Sequence, residues 1–148
     1  MSVKRILGAL LGTWLGLHAG AALGACDVSF SLVDFGRVDL ARGGEITGRV
    51  TVACDRPRRF ELAASAGQGR FGQRLMRGPG GTPLAYNLYV DPARTRIWGD
   101  GVHAGTSTIG GRSDGRRRVD LAVYGRVWGR QSVAPGAYSD TVSITVER

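Results

Sequence analysis

Apolar and polar residues alternate with a period of two along most of this chain. Between residues 46 and 52, Ile46, Val50 and Val52 share one face while Thr47, Arg49 and Thr51 take the other, the pattern of a strand with one buried side. The alternation recurs in Phe60, Leu62 and Ala64, in Leu84, Tyr86, Leu88 and Val90, and in Val119, Leu121 and Val123. It is most regular near the end, where Val142, Ile144 and Val146 interleave with Thr141, Ser143 and Thr145. The opening stretch places Val28, Phe30 and Leu32 on one face before Val33 and Phe35 switch parity, which predicts a bulge or strand end near Leu32. Turn residues separate these runs at Gly43 and Gly44, at 78–81, at Gly99 to Gly101, and at Pro135 and Gly136. About six or seven short strands, with no sustained helical period after residue 25, predict an all-β chain folded as an antiparallel β-sandwich.

The first 25 residues follow a different pattern. Lys4 and Arg5 precede a twelve-residue apolar run from Ile6 to Leu17, and His18 to Ala25 is rich in small residues. This is the layout of a secretory signal peptide, and the run falls short of the roughly 20 residues that a membrane-spanning helix needs. Cleavage is expected after Ala21, Ala22, Gly24 or Ala25, leaving an exported chain with no transmembrane segment and one domain over residues 26–148. In an oxidising compartment its two cysteines, Cys26 and Cys54, are expected to pair and to pin the first two strands together. The competing reading is a lipoprotein, because Leu23 to Cys26 loosely match a lipidation box, which would acylate Cys26 and leave Cys54 free.

Charge adds less. Without Lys4 and Arg5, 18 of the 20 basic residues remain against 12 acidic ones, a charge of +6 carried on the basic side wholly by arginine. That balance permits contact with an anionic surface, but the linear sequence shows no dense basic stripe and predicts no specific nucleic-acid partner. The run Arg116 to Arg118, after Ser113, Asp114 and Gly115, reads as a solvated loop that deters edge pairing. The 24 glycines are dispersed among apolar alternations, so disorder is not expected.

Catalytic chemistry has little to work with. His103 is the sole histidine after the signal; it lies in a glycine-rich loop beside Asp100, without the Cys or His neighbours a metal cage requires. Asp91, Asp100, Asp114 and Asp120 could include a carboxylate pair, but the sequence places no two of them face to face and Asp91 with Pro92 reads first as a turn; no nucleophile elbow, phosphate loop or HExxH motif occurs. No enzyme, cofactor or metal site is expected. Trp98 and Trp128 are candidate surface contacts for a sugar, a nucleobase or another surface, with packing at a hairpin end an equal reading for Trp98.

Three separated motifs carry a resemblance: LAYNLYVDPARTRIWGDG from Leu84 to Gly101, VYGRV from Val123 to Val127, and PGAYSDTVSITV from Pro135 to Val146. Together they resemble the spore coat protein U domain family, subunits of archaic chaperone-usher pili, across essentially the whole mature chain. The resemblance implies an immunoglobulin-like sandwich that lacks its final strand, leaving an apolar groove between the first and last strands. It implies as partners a periplasmic pilus chaperone, an outer-membrane usher and neighbouring pilus subunits, with passage through the periplasm to the cell surface. On that reading Val28, Phe30 and Leu32 line one side of the groove, and Val142, Ile144 and Val146 the other. Family members carry a donor extension ahead of the first cysteine, and cleavage near residues 21–25 would leave only a few residues there. The expectation is therefore a structural subunit that accepts a donor strand without giving one, as a terminal subunit would. The alternatives are a secreted, self-complete sandwich acting as a binding module through Trp98, Trp128 and nearby arginines, a spore-coat or matrix protein, and a secreted hydrolase using Asp100 and His103.

Overall fold

A computed structural model describes residues 25–30 and 33–147; the expected signal segment and Leu32 lie outside the described residues. Ten strands follow one another: β1 (Cys26–Phe30), β2 (Gly43–Cys54), β3 (Pro57–Ala64), β4 (Arg74–Met76), β5 (Leu84–Tyr89), β6 (Ile97–Trp98), β7 (Thr106–Ser107), β8 (Ile109–Asp114), β9 (Val119–Trp128) and β10 (Ile144–Glu147). Among the described residues there is no helix. One sheet runs in the order β1-β2-β9-β5-β6-β7, with β4 also on β5; the other is three-stranded, β10-β3-β8. The all-β sandwich expected from the alternation is the observed architecture.

Period-two segments became strands because each offers one face to the space between the sheets. Val50, Val52, Phe60, Leu62, Leu88, Val123 and Val127 are buried there, all with the parity read from the sequence. The long β2–β9 ladder, from Gly43 opposite Trp128 to Val52 opposite Val119, forms the spine of the larger sheet. Two strand glycines make room for aromatic rings: a Cβ on Gly125 would lie 2.7 Å from the Phe35 ring, and one on Gly111 would lie 2.4 Å from the Phe60 ring. Phe35 therefore reaches across β9 to meet Tyr86 edge-on, with ring centroids 6.1 Å apart. β1 ends at Phe30, and Val33, of the opposite parity, is buried against Gly48 of β2; the bulge expected near Leu32 falls on residues outside those described.

Three features depart from the expectation. The fragment IGGRSD forms β8 although its paired glycines hide any alternation. The short β6–β7 pair is parallel in an otherwise antiparallel sheet. The last strand starts at Ile144, later than the alternation from Thr141 to Val146 suggested, because Asp140 is buried and its hydrogen bonds draw the preceding backbone away from the ladder.

Cys26 and Cys54 form a disulfide across directly opposed positions of β1 and β2. Cys54 is thus part of the core and not a free thiol. Replacing both cysteines with alanine is expected to lower stability by about 3–4 kcal/mol, the loop-closure cost for a separation of 28 residues. Urea unfolding of the oxidised protein and the double variant measures it, and a difference under about 1 kcal/mol would show that β1 holds without the bond.

Candidate functional site

β1 pairs only with β2 and β10 only with β3, so each ends its sheet with one edge unpaired among the described residues. Both edges border the same flank. β2 passes into β3 through Asp55 and Arg56 alone, and β8 passes into β9 through 115–118. These short links stack β2 on β3 and β9 on β8, so the strands beyond β2 and β3 fall on one side.

Burial along that flank is lopsided. Val28 and Phe30 are half-buried, whereas their register partners Val52 and Val50 are 0% and 2% exposed. Ile144 and Val146 are likewise half-buried, although their partners Ala64 and Leu62 are closed to solvent. The inner strand of each pair is fully covered and the outer strand is not, as when a sandwich lacks cover along one side. Of the other two residues expected there, Val142 is fully buried core and Leu32 lies outside the described residues.

The flank leads into a cleft of about 490 Å³, bordered by the chain leaving β1 and the chain approaching β10. Phe35, Val38, Leu40, Met76, Leu84 and Tyr138 are among its walls, making it mainly apolar. The Tyr138 hydroxyl donates to the carbonyl of Ala134, folding the second wall on itself.

A buried polar knot fixes this wall. Asp140 is 1% exposed and accepts the Tyr86 hydroxyl at 2.6 Å, the Gln68 N–H at 3.0 Å and the Thr141 N–H at 2.8 Å. Opposite Tyr86 in the β4–β5 pair sits Arg74, fully buried, whose guanidinium donates to Asn87 Oδ1 at 2.6 Å and to the carbonyls of Ser65 and Trp98 at 2.7 Å each. Asn87 in turn donates to the Phe71 carbonyl. Burial lowers the Arg74 pKa to about 10, with Tyr86 and Asp140 opposing that shift. Burial, followed by the hydrogen bond to Asp140, pushes the Tyr86 phenol well above the ordinary range. Backbone bonds between Arg77 and Ser139 and between Ser65 and Ser143 complete the attachment. None of Arg74, Asn87 or Asp140 was singled out by the sequence pattern. Their signal was a polar residue inside an apolar run: Asn87 within Leu84–Val90, Asp140 just before the final alternation.

Trp98 is corrected from a surface contact to core: it is 1% exposed, and its indole N–H donates to the Leu62 carbonyl at 2.8 Å. Trp128 is half-buried at the end of β9. Asp100 accepts the backbone N–H groups of Val102 and His103 and the Thr106 hydroxyl, and bonds the His103 imidazole. The N–H of His103 leads the effects that hold its carboxyl well below the usual range. Asp100 is thereby occupied in shaping its loop, and the His103 ring rests on Phe71 with centroids 4.9 Å apart. Among the described residues no three Cys, His, Asp or Glu side chains gather as metal ligands, and no helix is long and apolar enough to cross a membrane.

Comparison with known proteins finds the Spore Coat Protein U domain over residues 17–145. Among solved structures, the chain is similar to one in the crystal structure of the CsuC-CsuE chaperone-tip adhesion subunit pre-assembly complex from archaic chaperone-usher Csu pili of Acinetobacter baumannii, with a TM-score of 0.60 and 19% identity. That similarity covers 85% of this chain and 40% of the other. No curated protein matches.

The knot makes a spectroscopic prediction. A phenol whose folded pKa is raised contributes stability that is intact below the unfolded value, near 10, and is lost as pH rises beyond it. In a titration followed at 295 nm, Tyr86 is expected to stay protonated up to the alkaline unfolding transition, leaving the four-tyrosine absorbance step incomplete until then. A full step in folded protein between about pH 10 and 11 would contradict the buried Tyr86–Asp140 bond.

Proposed function

The chain belongs to the Spore Coat Protein U domain family, and from that premise we propose that it is a non-enzymatic structural subunit of a surface fibre that accepts a strand from a partner between β1 and β10. The observation that carries the reading is the lopsided burial: closed inner strands beside half-buried Val28, Phe30, Ile144 and Val146 on two strands that end their sheets among the described residues. An added strand would satisfy the open backbone groups of both edges and cover both apolar rows in one step. A β-strand carries such side chains every second residue on one face, and the cleft beyond Phe30 offers room for one at the end of the row.

The fold suits exchange of that strand. The disulfide ties β1 to β2, and the Asp140 knot ties the approach to β10 to the body of the larger sheet. Both walls keep their positions while the occupant changes. In this proposal a periplasmic chaperone fills the flank first, at or on the way to an outer-membrane usher, and a neighbouring subunit replaces it in the fibre. The functional domain is residues 26–148, exported by the signal in residues 1–25.

Co-expression with a chaperone of this class is expected to yield a stoichiometric complex and to keep the protein from aggregating. Phe30→Asp or Ile144→Asp places a charge on the apolar row and should abolish the complex. A soluble, long-lived monomer made without any chaperone, with the outer amides of β1 and β10 protected from hydrogen exchange, would defeat the reading. A finer part of the proposal is that the subunit receives a strand without donating one. Cleavage at 21–25 would leave too few residues before Cys26 for a strand of about five. N-terminal sequencing of the exported form is expected to begin between residues 22 and 26; a start ten or more residues earlier would restore a donor arm.

A further inference from the structure

The links that stack β2 on β3 and β9 on β8 meet at the end of the sandwich away from the cleft. They touch: a Cβ on Gly115, where φ is +77°, would lie 2.7 Å from the Arg56 backbone. Their contact gathers arginines that are far apart in the chain. Arg56, Arg58 and Arg59 come from the first link and β3, and Arg112, Arg116, Arg117 and Arg118 from β8 and the second link. All except the half-buried Arg58 are exposed. The dense basic patch missing from the linear sequence is assembled by the fold.

This grouping is unfavourable for the chain alone. Arg59 and Arg112 stand directly opposite each other in the β3–β8 ladder, both exposed, a like-charge pair that weakens a sheet. The Nε of Arg58 is buried and has no hydrogen-bond partner, a costly state for a cation. Asp114 accepts the backbone N–H groups of Arg116 and Arg117, so it orders the loop. Asp27, Asp55 and Glu61 are the other carboxylates beside the patch; Glu61 lies two residues beyond Arg59 on the outward face of β3 and accepts the Thr108 hydroxyl. With Asp114 they remain fewer than the seven arginines, while Asp120 is engaged by Thr51 and Arg49. Protection of the β8 edge would explain a charge on β8 itself, but not Arg56, Arg58 and Arg59, which lie in the link and on the interior strand β3.

We propose that this arginine end is a docking surface for an acidic polysaccharide, its guanidinium groups pairing with carboxylate or sulfate groups along the polymer. Guanidinium forks fit such oxyanions in a bidentate manner. Among the described residues no exposed aromatic side chain accompanies the seven arginines, so the surface has no platform on which the bases of a single strand stack; a nucleic-acid duplex, which needs none, is the rival occupant that the test below separates from a glycan. The twelve residues of β2 separate the patch from the cleft, so a fibre subunit could hold its donor strand and the glycan together. The inference does not depend on the groove.

Binding to immobilised heparin, as the sulfated probe, and to alginate, as the carboxylated one, tests it. The triple variant R116S/R117S/R118S and the double variant R59S/R112S change exposed side chains. A control, R70S/R77S/R96S, removes three exposed arginines elsewhere. Each patch variant is expected to bind at least one of the two glycans roughly tenfold more weakly, with the control within about twofold of the parent and binding weakening as salt rises. Near-ultraviolet circular dichroism verifies that every variant is folded. Equal losses in patch and control variants, no binding of the parent to either glycan, or tighter binding to duplex DNA through the same arginines would each overturn the proposal.

Discussion

The outer backbone groups of β1 and β10 have no ladder partner among the described residues, and the organisation of the flank follows from that. An edge strand in water keeps its N–H and C=O groups solvated, but the apolar side chains beside them cannot be solvated at the same cost. Val28, Phe30, Ile144 and Val146 are therefore left half-covered beside neighbours that are wholly buried. A chain with this geometry either finds another strand or carries an aggregation liability. The proposed fibre function turns that liability into an assembly rule.

Such an edge is useful only if it keeps its shape while empty, and two very different interactions provide that. At β1 it is covalent, through Cys26 and Cys54. At β10 it is the Asp140, Tyr86 and Arg74 knot, in which nearly every buried polar atom has a partner. A buried, satisfied polar network fixes one arrangement where apolar packing would tolerate several. It also explains why the backbone before β10 leaves the ladder: the loop is held by its side-chain bonds instead of by a strand partner.

Charge follows the same division between local and global. Arg56 to Arg59 and Arg112 to Arg118 belong to two links and the strands beside them, separated by some fifty residues, and neither segment is unusual alone. Contact between the links at Gly115 makes one basic surface of them.

The alternation of side chains predicted β5 almost residue for residue and the central part of β2, β3 and β9, because a buried face repeating every two residues is a local property of a strand, while the ends of these strands were extended by pairing. It also placed β1 and the two cysteines, and the three motifs pointed to the family that the comparisons found. It missed β8, whose Gly110 and Gly111 have no side chains to alternate and whose strand character comes from pairing with β3. It could not choose between surface and core for Trp98, since an indole at a strand end suits either until a carbonyl such as that of Leu62 is brought to its N–H. Nor could it identify Arg74 and Asp140, because a charged residue is placed inside a protein only by partners from distant segments. The sequence by itself determined the longer strands, the two-sheet class and the covalent tie, all consequences of local periodicity and of cysteine count, but not β4, β6, β7 or β8. Tertiary structure alone decided which edges stayed open, which polar groups were buried together and where the arginines met, because each depends on contacts between residues far apart in the chain.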